Sequence, residues 1–161
     1  GAEWMPYQWM FFKSALDAGL ADFAYRIADT ALTLWQNECA ESYCCFEHFM
    51  IESRRGAGWH QFSGLSSPIV QWFSAYYRPG TLTTGFDAFV RHTDWAPDNS
   101  ALDATLDFTA AGRSTVLAVL QPGPKAVTAS VPCTVTTRHD GLLELTFALD
   151  APCTVTISIH S

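Results

Sequence analysis

The residues best equipped for chemistry are crowded into one stretch, Cys45 to Phe62, reading CFEHFMIESRRGAGWHQF. Two carboxylates (Glu47, Glu52), two imidazoles (His48, His60), two guanidinium groups (Arg54, Arg55) and an indole (Trp59) stand among the rings of Phe46, Phe49 and Phe62. So many polar groups do not suit a packed helix, and so many rings do not suit a plain surface loop. The combination reads as the floor of a polar pocket. Sugars are held by flat aromatic faces under their C–H surface and by carboxylates or amides that bond their hydroxyls. Cleaving a glycosidic bond then needs two carboxyl groups, an acid at the leaving oxygen and a base or nucleophile. On this reading Glu47 and Glu52 are the candidate carboxylates and Trp59 the platform. Arg54, Arg55, His48 and His60 are candidate hydroxyl ligands. Trp4, Tyr7, Gln8 and Trp9 form a second aromatic and polar cluster of the same character.

Each of these residues also has a plainer reading. Glu47 between two phenylalanines fits a salt-bridged structural residue, Glu52 in front of Arg54 and Arg55 a solvated charge cluster, His60 a core histidine, and Glu41 a surface residue. No metal site is expected, because His48, His60 and Glu52 fit no usual ligand spacing. No oxygen-rich loop asks for calcium, and no cofactor is expected. The five cysteines, Cys39, Cys44, Cys45, Cys133 and Cys153, show no zinc-type pairing and read as free, mostly buried thiols. Cys133 and Cys153 are the one pair that a disulfide could join, if their strands are neighbours rather than in separate sheets.

The elements that must position these groups follow from periodicity. Pro6 to about Trp35 is apolar at three- and four-residue steps, which predicts two helices broken at Gly19, the second over 23–37 with Asp22 as its cap. Asp17, Asp22, Arg26 and Asp29 read as their wet face. A third helix is predicted over 68–77, with Ser66 or Ser67 as N-cap, Pro68 at the first position and Arg78-Pro79-Gly80 as the stop. Helices this aromatic are expected to be buried on more than one side. From Ala101 six short strands follow: 102–108, 114–120, 126–130, 133–138, 142–149 and 153–159. They suggest a small antiparallel β-sandwich. The pentapeptide Pro-Cys-Thr-Val-Thr occurs twice within it, at 132–136 and 152–156.

Composition divides the chain in the same place. Of 22 aromatic residues only Phe108 and Phe147 follow Trp95. The expected class is therefore α+β, with an aromatic-rich helical part over 1–95 and a β-sandwich domain over 96–161. An apolar content of 48% in 161 residues supports a real core. A net charge of −7 argues against nucleic acid or an anionic membrane as partner, and no apolar run reaches spanning length. The chain opens on Gly1-Ala2-Glu3-Trp4, without a start methionine or a signal-peptide pattern, and reads as a piece of a longer protein.

The order of features resembles the C-terminal end of the (α/α)6 six-hairpin glycoside hydrolases, closest to the family 63, trehalase-like and mannosylglycerate-hydrolase-like group. Gly1 and Trp4 lead into a helix, a glycine and a second helix. Glu47-His48-Phe49, a glycine-rich segment and Phe62-Ser63-Gly64-Leu65-Ser66-Ser67 then open a last helix. In that group a Glu-Asn-Tyr-like segment carries the general base. The resemblance implies Glu47 as the base of an inverting hydrolysis, Trp4 as a lining residue of the sugar pocket and an oligosaccharide as substrate; His48, Trp59 and His60 join Trp4 as expected substrate contacts on the chemistry of the residues themselves. Ser53 falls where the family has Thr and Gly56 where it has a later Gly. His48 replaces Asn, Phe49 replaces Tyr, and Arg54 stands where a turn glycine is expected. The likeness covers roughly residues 1–75. A full toroid has twelve helices, and its general acid comes from an earlier segment. The implied partner is therefore the remaining N-terminal part of the enzyme, or a second copy meeting this one through exposed helices. The chain alone is expected to be catalytically silent.

Overall fold

The computed structural model describes the backbone of residues 1–161 and every side chain except those of Ser63 and Leu65. The helices form where the apolar spacing puts them, with shifted ends. Helix α1 spans Met5–Asp17 and α2 spans Ala21–Ser42. Gly19 separates them with a left-handed φ of 68°, and the N–H groups of Gly19 and Leu20 bond the Leu16 and Ala15 carbonyls. Asp22 lies inside the first turn of α2, where its charge suits the positive end of the helix. Past the predicted end at Asn37, α2 continues to Ser42 because Glu38, Ala40 and Glu41 are good helix formers. Helix α3 spans Ser63–Tyr77 and begins a turn before Pro68. A proline inside a helix strands the carbonyl four residues back. Here the Ser67 hydroxyl donates to that carbonyl, Gly64 O, at 3.0 Å, so Ser67 repairs the helix rather than capping it. Of the predicted helix-opening motif, the side chains of Ser63 and Leu65 lie outside the described residues.

Two compact units result, one of residues 1–12 and 22–73, the other of 13–21 and 74–161. In the first, the stretch read as a pocket floor is a β-hairpin. Strands β1 (Ala2–Glu3), β2 (Phe46–Met50) and β3 (Gly56–His60) form an antiparallel sheet in that order. The core of this unit is aromatic. Trp9 stacks on Phe12 at 5.1 Å, and Trp72 meets their edges at 6.0 and 6.3 Å. Ala24, Ala28 and Ala31 line the buried stripe of α2, and Phe49 and Ile69 are buried as well. Other apolar faces are not covered: Tyr7, Met10 and Phe11 on α1, Phe23 on α2, and Val70 and Phe73 on α3 are exposed.

In the second unit two four-stranded antiparallel sheets form. Their strands are β4 (Thr81–Thr83), β5 (Ala88–Trp95), β6 (Leu102–Phe108), β7 (Gly112–Val119), β8 (Ala126–Ala129), β9 (Cys133–His139), β10 (Leu142–Leu149) and β11 (Cys153–His160). The orders are β4-β7-β10-β9 and β5-β6-β11-β8. Strands thus begin before Ala101: β4 and β5 precede the turn at 96–100, which only connects β5 to β6. The aromatic content of β5 hid it, since Phe89 and Val90 are exposed on an edge strand. The clean alternation of β6 puts Leu102, Ala104, Leu106 and Phe108 in a core shared with Val116, Leu145, Phe147, Val155, Ile157 and Ile159. Cys133 on β9 and Cys153 on β11 belong to different sheets, and all five cysteines are free. Asp17 is not simply on a wet face: its carboxylate accepts from the N–H groups of Phe86 at 2.7 Å and Asp87 at 3.1 Å.

Candidate functional site

Strands β2 and β3 pair Phe49 with Gly56 and His48 with Ala57, but Phe46 with His60. One extra residue therefore sits on β3, and Gly58 and Trp59 together oppose Glu47. Gly58 has a φ of 78°, so this is a glycine-initiated β-bulge, a device that re-aims side chains. Glycine is needed there twice over. Its backbone is left-handed, and a Cβ at this position would lie 2.4 Å from Glu47 Oε2 and 2.9 Å from His48 Cε1.

The bulge turns the Trp59 N–H onto Glu47 Oε2 at 3.3 Å. Glu47 Oε1 has no hydrogen-bond partner among the described residues, and the side chain keeps 27% of its exposure. His48 Nδ1 lies 3.9 Å from Glu47 Oε2 and has no hydrogen-bond partner among the described residues. The Trp4 ring stacks on the His48 ring at 5.1 Å and 26°. The Trp59 indole is 71% exposed, braced edge-on by Phe62 at 5.8 Å. Trp4, Glu47, His48 and Trp59 are thus brought together. His60 is not: it is exposed, and its ring contact is with Phe46 at 6.5 Å.

The other charges of the stretch have different tasks. Arg55 is held by Glu38, Nε to Oε2 at 2.8 Å and Nη2 to Oε1 at 3.2 Å, and by Glu41 at 2.9 Å. Glu38 also accepts the Gly56 N–H at 2.8 Å and so clamps the start of β3 to α2. The Arg55 hydrogen bond outweighs burial and, with the Gly56 N–H, pulls the Glu38 carboxyl down to about 2. Sequence reasoning missed Glu38. Its signal was position, seven residues after Ala31 on the same buried stripe. Glu52 at the hairpin tip is exposed, its side chain keeping 70% of its exposure. Arg54 takes a left-handed φ of 56° in that turn, its N–H bonded to the Met50 carbonyl at 2.8 Å.

A groove of about 680 Å3 runs between α2 and β2, lined among others by Phe23, Arg26, Thr30, Phe49, Met50 and Arg54. None of Trp4, Glu47, His48, Trp59 or His60 lines it, so Glu47 and its neighbours form a separate surface. Among the described residues no three His, Cys, Asp or Glu side chains could hold a metal ion, and no helix is long and apolar enough to cross a membrane. No family model matches the chain, and no curated protein or solved structure is found to be similar to it.

Proposed function

We propose that this chain is the C-terminal part of an inverting glycoside hydrolase of the six-hairpin type, with Glu47 as its general base. The observation that carries the reading is the bulge opposite Glu47. It holds one carboxylate oxygen on the Trp59 N–H and leaves the other open, beside an exposed indole face. In such a mechanism Glu47 Oε1 takes a proton from a water that attacks the anomeric carbon, while an acid on the opposite side protonates the leaving oxygen. This chain supplies no matching acid, so that group belongs to sequence outside it. Trp59 offers the flat face for a sugar ring, and Trp4 fixes the His48 ring next to the base.

Two further observations support the reading. Arg54 adopts the left-handed backbone at the position where the family carries a turn glycine. The exposed aromatic faces of α1 and α3 fit helices that lack neighbouring hairpins. The test is to express the full reading frame, follow hydrolysis of a panel of disaccharides, and assign the anomer of the first-formed product. The expected result is hydrolysis with inversion. A reading frame without further helical hairpins upstream, or a product with retained configuration, contradicts the proposal. The strong exposure of Trp59 favours one second reading, a non-catalytic sugar-binding module, in which the isolated chain binds oligosaccharide and the full frame hydrolyses none.

A further inference from the structure

Three thiols crowd the junction between α2 and β2. Cys39 lies near the end of α2, and Cys44 and Cys45 follow Tyr43, whose left-handed backbone (φ 54°) turns the chain back on the helix. Two hydrogen bonds fix the reversal, Tyr43 N–H to the Cys39 carbonyl at 3.0 Å and Cys44 N–H to Ser42 Oγ at 3.2 Å. They leave Cys39 Sγ 3.2 Å from the Cys44 carbonyl oxygen. One trans peptide unit separates that oxygen from Cys45 Cα, so the Cys39 sulfur lies within roughly 6 Å of Cys45 Cα. Rotation of the Cys45 side chain and a small shift of the junction close that distance. All three thiols are half-buried. Burial first, and then the Cys45 thiol, push the Cys39 thiol up. Cys133 and Cys153, by contrast, belong to separate sheets.

We propose that Cys39 and Cys45 form a redox-responsive pair that closes to a disulfide and ties β2 to the last turns of α2. The oxidant is a low-molecular-weight disulfide of the glutathione class. Cys45 is the attacking thiol, because the Cys39 thiol is pushed up and donates to the Cys44 carbonyl. The Cys45 thiolate attacks the small disulfide, one small thiol leaves, and a mixed disulfide forms on Cys45. Cys39, on losing its proton, attacks the Cys45 sulfur and expels the second small thiol. Two protons and two electrons pass from the protein thiols to the small disulfide, which ends as two thiols. Strand β3 is already fastened to this part of α2 through Glu38, Arg55 and Gly56. The bridge fastens β2 in the same way, two residues before Glu47. This inference rests on the thiols alone and is independent of the glycosidase reading.

The test is to incubate the chain with oxidised glutathione, both folded and in concentrated urea, then alkylate the remaining thiols and map the linkages by peptide mass spectrometry. The folded chain is expected to become two hydrogens lighter, with a Cys39–Cys45 linkage predominating, Cys44, Cys133 and Cys153 alkylated, and full reversal by dithiothreitol. In urea the linkages are expected to spread over other pairs. Cys44→Ser is expected to keep the bridge and Cys45→Ser to abolish intrachain linkage. A predominant Cys44–Cys45 linkage, stable glutathione adducts without a bridge, or the same pattern in folded and unfolded chain overturns the proposal.

Discussion

The Trp59 backbone N–H donates to Glu47 Oε2 at 3.3 Å, across a bulge in which Gly58 and Trp59 oppose Glu47. The carboxylate and the exposed indole are therefore set by one piece of backbone. A change in the bulge moves both.

Gly58→Ala is expected to disturb that arrangement most sharply. It puts a side chain on a left-handed backbone and a Cβ 2.4 Å from Glu47 Oε2. The cost is about 1–3 kcal/mol, measurable by urea unfolding. The Trp59 amide resonance should shift at the same time. Gly64→Ala is the control: nothing lies within 4 Å of its added Cβ. In the first turn of α3 it should change stability by less than about 0.5 kcal/mol.

Glu38 predicts an acid-sensitive fold. Its carboxyl is drawn from 4.5 to about 2 in the folded chain. A group depressed on folding stabilises above its unfolded pKa and loses that contribution as pH falls through the folded value. The loss should therefore run from about pH 4.5 down to about pH 2. Glu38→Gln is expected to lower stability at neutral pH by about 1–3 kcal/mol, toward the lower end because Arg55 is half exposed. It should also flatten the acid limb of stability against pH, followed by thermal melts across that range.

In the unit with the two four-stranded sheets the two ion pairs should behave differently. Glu144 on β10 has a side chain only 3% exposed and is gripped by both Arg138 nitrogens, Nη2 to Oε2 at 3.1 Å and Nε to Oε1. Glu144→Ala takes the buried carboxylate away from the half-buried Arg138 guanidinium and is expected to cost about 1.5–3 kcal/mol. Arg91 pairs with Asp107 on the surface, its side chain 69% exposed. Arg91→Ala should change stability by no more than about 1 kcal/mol. Guanidinium unfolding of the two variants side by side decides this.

The exposed stripe Tyr7, Met10 and Phe11 on α1 predicts self-association of the isolated chain. Sedimentation velocity should show mass rising with concentration. The double variant Met10→Lys, Phe11→Lys should restore a monomer. A wild-type chain that stays monomeric at high concentration contradicts the expectation.

The helices and most of the antiparallel strands were legible because their signals are periodic. The three- and four-residue steps of α1 and α2, the glycine between them and the strict alternation of β6 each need only local sequence. What was not legible depended on contacts distant in sequence. Helix α3 begins before Pro68 because Ser67 takes up the stranded Gly64 carbonyl, which the pattern alone does not announce. Strand β5 was hidden by its edge position. In the candidate site, the mixture of charges and rings marks a stretch that forms one hairpin, but the pairing register, which makes Gly58 a bulge and sets Glu47 opposite it, is a property of two strands together. Arg55 looked like a sugar ligand in sequence. Its engagement by Glu38 and Glu41 removes it from that role.

The most direct test of the account is the Glu47→Gln variant of the full-length protein, assayed on a disaccharide that the wild type hydrolyses. A fall in kcat of about 10^2–10^4-fold is expected, with KM changed only a few-fold, since the base acts on water in the transition state and the sugar contacts remain. A Glu47→Gln enzyme that turns over at the wild-type rate contradicts it.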